Sequence, residues 1–173
     1  GDFVWEKNVP PAYAWHNGKV AHMTLASSYP ADAGTTERPI VISEPLATYF
    51  DADAKIMPFK LMTGIQPAHL TERILLAPDL FGPGGFWPGV PAAEAYTPEA
   101  VEQLWTDTLT QGALLAGQLS QGETLSRSDW GFVNTVMWMG INHEVAPASD
   151  ALGANNTCMD SCHAPGGFPW AEL

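Results

Sequence analysis

Apolar positions recur with helical spacing over one long stretch of this chain, residues 98–119 (PEAVEQLWTDTLTQGALLAGQL). Val101, Leu104, Trp105, Thr108, Leu109 and Leu115 fall on one face, as a core-facing helix requires. Thr97 reads as its N-cap and Pro98 as its first residue, with Glu99 and Glu102 placed where the helix dipole favours anions. A second helix is expected over 129–140 (DWGFVNTVMWMG), starting at Ser128 or Asp129 and ending at Gly140. Elsewhere the pattern is short-ranged. Ile40-Val41-Ile42 suits a brief strand, Ile74–Ala77 is a short apolar run, and Asn17-Gly18 between apolar stretches suits a tight hairpin. Residues 26–39 are rich in turn formers, and proline and glycine break 45–70 too often for a long helix. The segment 81–91 (FGPGGFWPGVP) reads as an aromatic loop, packed either as a satellite of the core or against a flat surface. The expected fold is therefore mainly α, with extensive irregular loops and few short strands.

Length and composition refine this picture. The 173 residues fit a single domain, loop-rich over 1–97 and helical over 98–173. Hydrophobic residues make up 46% and charged residues 15%, with 15 prolines and 16 glycines, so a real core is expected within a loop-rich chain. Seven basic against 19 acidic residues leave a net charge of −12, which repels nucleic-acid backbones and anionic lipid surfaces. No apolar run reaches the roughly 18 residues that would span a bilayer, so an integral membrane protein is not expected. Gly1 reads as the start of a processed product or of a piece of something longer.

The chemistry concentrates in Cys158-Met159-Asp160-Ser161-Cys162-His163. Two cysteines followed at once by histidine form the c-type haem attachment pattern, in which both sulfurs bond the porphyrin and the imidazole ligates iron. Three residues separate the cysteines instead of the usual two, a less common variant of that pattern. The same residues also fit a disulfide with His163 in a loop. A zinc site fits less well, because no further cysteine exists to complete four ligands. The haem reading makes Cys158 and Cys162 the cofactor-binding residues and His163 the proximal iron ligand.

Several fragments in preserved order, FVWEKNVPPAYAWHNGKVAH, KIMPFKLMTGIQP, LLAPDLFGPGGFW and GFVNTVMWMGINHEVAPASDAL, resemble the C-terminal part of octahaem tetrathionate reductase-like multihaem cytochromes. The resemblance runs over nearly the whole chain. It departs at the three-residue gap, at the inserted GANN before Cys158, and in lacking the upstream haem motifs of the family. It implies a c-type haem domain that transfers electrons within a multihaem assembly. The reductase activity does not carry over, since the catalytic haem region is absent from this chain, and whether it is an enzyme stays open. Two alternatives remain, a subunit or fragment of a sulfur- or nitrogen-oxyanion reductase and a subunit of an extended cytochrome filament.

The resemblance also places His143 and His22 at family positions for axial iron ligands, while His16 and His69 fall on none. Methionine at the sixth position would raise the potential, and Met137 and Met139 are nearest in sequence to His143. One attachment motif leaves one axial position to fill. Two matched histidines thus imply that at least one reaches a haem held by another chain or by an upstream part of the same precursor. The aromatic segments 1–25 and 81–91 would form that contact, in a periplasmic or extracellular protein.

Overall fold

The computed structural model describes residue 4 and residues 9–90, 92 and 95–140. Strands take 33% of it and helices 18%, so the expectation of a mainly α fold is overturned in favour of a mixed sheet. The elements run β1 (Ala12–His16), β2 (Val20–His22), β3 (Ile40–Pro45), β4 (Lys55–His69), β5 (Ile74–Leu75), α1 (Phe86–Gly89), α2 (Pro98–Leu115) and β6 (Trp130–Gly140). They divide into two compact units. The first draws on Gly1–Val20, Glu44–Met62 and Trp138–Leu173, the second on Ala21–Ser43 and Thr63–Met137.

In the first unit β1 pairs antiparallel with the N-terminal part of β4, Ala12 opposite Phe59 and His16 opposite Lys55. In the second the hydrogen-bonded order is β4-β6-β3-β2, with β5 antiparallel on β4. Strands β3 and β6 run parallel, Ile40 opposite Thr135. The turn expected at Asn17-Gly18 is present, with Gly18 at φ +88° and the Asn17 side chain accepting the Lys19 N–H at 3.2 Å. The expected hairpin is not, because β1 takes β4 as its partner and β2 takes β3.

The second expected helix, 129–140, is the strand β6. Phe132, Val133, Thr135, Val136 and Trp138 are aromatic or β-branched and favour an extended chain, while Gly131 and Asn134 weaken a helix. Flanked by β4 and β3, β6 is apolar on both faces and shows no clean alternation, so periodicity cannot separate it from a buried helix. Strand β4 tolerates its prolines. Pro67 takes part through its carbonyl, which accepts the Leu76 N–H at 2.9 Å.

Helix α2 forms as its sequence implies. The Thr97 hydroxyl accepts the Ala100 N–H at 3.2 Å, and Pro98 opens the first turn. It ends earlier than expected, at Leu115, because Gly117 turns left-handed at φ +70°. Gln118 N–H then bonds the Ala113 carbonyl, and Gly117 N–H the Leu114 carbonyl. Leu115 consequently points to solvent. Thr108, Leu109, Gly112 and Ala113 are buried, and a Cβ on Gly112 would lie 2.0 Å from the Ala77 carbonyl oxygen. Only glycine lets segment 77–79 cross the helix there, where Asp79 N–H bonds the Thr108 carbonyl at 3.2 Å.

Both core clusters lie in the second unit. One gathers Leu76, Leu109, Ala113, Leu125 and Trp130, the other Tyr29, Ile40, Ala68 and Val133. The Trp130 indole N–H reaches the Thr106 hydroxyl at 3.1 Å, satisfying a buried donor. The aromatic stretch 81–91 contains the single turn α1, and Phe86 packs on Trp105 of α2 with ring centroids 4.3 Å apart. This matches the satellite reading, although Phe81 and Trp87 stay exposed.

Candidate functional site

Of the residues singled out for haem chemistry, Cys158, Cys162, His163 and His143 lie outside the described residues. His22, at the end of β2, is exposed. Met137 and Met139 are half-buried on β6, two residues apart and so on one face of the strand. Among the described residues no group of three or more histidine, cysteine, aspartate or glutamate side chains is placed to hold a metal ion.

The three described histidines each end a strand, His16 on β1, His22 on β2 and His69 on β4. Their ring nitrogens are in different situations. His69 Nδ1 accepts the Glu72 N–H at 3.3 Å. A neutral imidazole that accepts at Nδ1 carries its proton at Nε2, which leaves no lone pair there for a metal. His22 projects into solvent from the end of its strand. His16 is half-buried, and its Nδ1 is shut away from water with no hydrogen-bond partner.

Strand geometry explains how His16 is held. Ala12, Ala14 and His16 share one face of β1, and the register sets Phe59, Met57 and Lys55 beside them on β4. Two alanines leave the imidazole room to lie back along the strands toward Phe59, the ring centroids 5.5 Å apart and the planes nearly perpendicular at 85°. Phe59 makes the same edge-to-face contact with Trp138 at 5.9 Å. The other face of β1 carries Tyr13 and Trp15, and Trp15 meets Tyr49 edge-on at 5.4 Å. His16 matches no family ligand position in the sequence. The signal that would have found it is the alternation Ala-Tyr-Ala-Trp-His, which puts small residues and the imidazole on one face and large aromatics on the other.

Haem demands thiolates for attachment, imidazole for iron, and apolar side chains against its macrocycle. The chain contains these. Cys158, Cys162 and His163 have the attachment spacing, and His16 brings an orphaned ring nitrogen bordered by aromatic rings. The residues present therefore fit the group. No helix among the described residues is long and apolar enough to cross a membrane.

The family model described as bacterial cytochrome c matches residues 1–166, a span that includes Cys158, Cys162 and His163. In a crystal structure, octahaem cytochrome c from Shewanella oneidensis is similar to this chain, with 29% identity and a TM-score of 0.60. The match covers 100% of this chain and 35% of that one, so this chain spans about a third of the relative's length. No curated protein matches. The attachment motif, the fit of the residues and the family match converge: the chain belongs to the bacterial cytochrome c family, whose cofactor is covalently attached haem c.

Proposed function

We propose that Cys158 and Cys162 form the thioether bonds, that His163 is the proximal ligand, and that imidazole also fills the sixth position of the haem. A haem so held supplies a one-electron couple that needs no bond change at iron. The chain's own part is to fix the iron between imidazoles and so keep substrates from it, as a conduit requires. His143 and His22 are the residues the family pattern offers as axial ligands, and the solvent exposure of His22 suits a haem held by another polypeptide. The partner is thus a second haem-bearing chain or an upstream part of the same precursor. The protein works in the periplasm or outside the cell, where c-type haem is attached.

The observation that carries this reading is the Cys-x-x-x-Cys-His motif inside a family match that spans it. Intact-mass measurement of denatured protein tests it, because thioether-bound haem survives denaturation. The expected result is one haem added to the polypeptide and lost in the Cys158→Ser, Cys162→Ser double variant. Colourless protein with a Cys158–Cys162 disulfide would refute it.

A further inference from the structure

The first unit carries an apolar face that its own packing does not use. Tyr13 and Trp15 share one side of β1, and the register sets Pro58 and Ile56 beside them on β4. Trp15 meets Tyr49 edge-on at 5.4 Å and Tyr49 meets Phe50 at 5.5 Å, so the rings run on from the strands into the turn at 48–51. That turn is held from within, because the Asp51 carboxylate accepts the Thr48 N–H at 2.7 Å and the Thr48 hydroxyl at 2.9 Å. Both rings stand in solvent on a fixed support, Tyr49 at 71% exposure and Phe50 at 91%. With Tyr13 at 66% and Ile56 at 60%, the face offers roughly 500 Å², taking about 150–250 Å² for each large side chain.

The largest apolar patch on a monomer is about 300–600 Å², and patches near the upper end are often contact sites. A specific interface takes about 800 Å² from each partner, so this patch accounts for more than half of one side. Charge decides what can lie there. Among the described residues the first unit balances Lys19, Lys55 and Lys60 against Glu44, Asp51 and Asp53, whereas the second sets nine carboxylates against three arginines. Two copies of a chain with net charge −12 repel one another at most approaches. On the described surface of the first unit that repulsion is locally absent. The exposed rings of the second unit, Phe81 and Trp87, lack this advantage, and a basic partner would be drawn to that unit instead.

We propose that this face joins two copies of the chain in an isologous dimer, with Tyr49 and Phe50 of each copy packed on the Tyr13, Trp15 and Ile56 face of the other. Strand faces so apposed meet at about 10 Å, the spacing at which sheets pack. The inference goes beyond the haem reading and does not depend on which histidine holds the iron. Salt gives the interface a signature. Added salt screens the repulsion between two acidic copies and tightens an apolar dimer, whereas a dimer built on ion pairs would loosen.

The test is sedimentation equilibrium of the haem-loaded protein as purified, over a range of concentration and salt, with Phe50→Asp and Phe81→Asp variants. The parent is expected at twice the chain mass, with a dissociation constant that falls as salt rises. Phe50→Asp should sediment at one chain mass, because it sets a carboxylate against an apolar surface at both ends of the interface, and Phe81→Asp should dimerise like the parent. Phe50 lies in solvent, so the haem spectra and thermal midpoint of its variant should match the parent's, which separates lost docking from lost folding. Should Phe50→Asp disturb either, Tyr49→Ser, which adds no charge, is expected to weaken the dimer about tenfold. A parent at one chain mass throughout, a dimer that survives Phe50→Asp, or one lost equally in Phe81→Asp would overturn the proposal. Association with a different polypeptide in place of a second copy would overturn it too. Intact mass on the same samples reports separately on the haem assignment.

Discussion

The two units bury their apolar residues to different extents. Of the ten buried apolar residues described, only Phe59 belongs to the first unit, and the other nine build the two clusters of the second. The first unit instead leaves Tyr13, Tyr49, Phe50 and Ile56 at 60% exposure or more. The second is a conventional core of helix on sheet, sealed by tight crossings such as Gly112 under Ala77. Among the described residues the first unit thus presents aromatic side chains to its surface, whereas the second packs its own into a core.

The largest expected effect tests that contrast directly. In the Cys158→Ser, Cys162→Ser variant, which holds no covalent haem, amide hydrogen exchange should lose most of its protection across β1 and residues 55–62. Protection in α2 and residues 130–137 should persist. Equal loss in both units would show that their stability is not divided as the burial suggests.

The next effect belongs to the second unit. Gly112→Ala pushes a methyl into the Ala77 carbonyl, 2.0 Å away, so segment 77–79 must move off the helix. Overpacking of this kind costs about 1–3 kcal/mol or more, against the gain of about 1 kcal/mol that alanine otherwise brings to a helix interior. A lower thermal midpoint with unchanged haem spectra is expected. An unchanged or raised midpoint would mean that the crossing yields easily.

Smaller still is the helix cap. Thr97→Ala removes the acceptor of the Ala100 N–H and should cost about 1 kcal/mol, read by denaturant unfolding. Replacement by serine should recover most of it.

The smallest effect is electrostatic and compares one carboxylate from each unit. Backbone N–H of Thr48, then its hydroxyl, hold the Asp51 carboxyl below the usual range, and Ser126 does the same for Asp129 by the same two bonds. A depressed folded-state pKa stabilises above the unfolded value, roughly pH 4, and that contribution disappears as the pH falls through the folded value. Asp51→Asn and Asp129→Asn should therefore each flatten the acid limb of the stability profile slightly below about pH 4. Asp51 is exposed and Asp129 only half-buried, so screening keeps the change small. A steeper acid limb in either variant would contradict the assigned bonds.

The sequence alone determined those features that depend on neighbours along the chain. The cap at Thr97, the body of α2, the turn at Gly18 and the short strand at Ile40 all follow from local chemistry. The same holds for the haem motif, because covalent attachment needs only two thiols and an imidazole at fixed spacing. The tertiary structure decided what depends on distant partners. Residues 130–140 carry enough apolar character for either a buried helix or a central strand, and it is pairing with β3 and β4 that selects the strand. Residues 55–69 are punctuated by Pro58, Gly64 and Pro67, yet partners on β1 and β5 hold them extended. His16 illustrates the same limit at the level of one side chain. The local alternation sets which face of β1 it takes, but its contact with Phe59 joins residues 43 positions apart and follows only from the β1–β4 pairing.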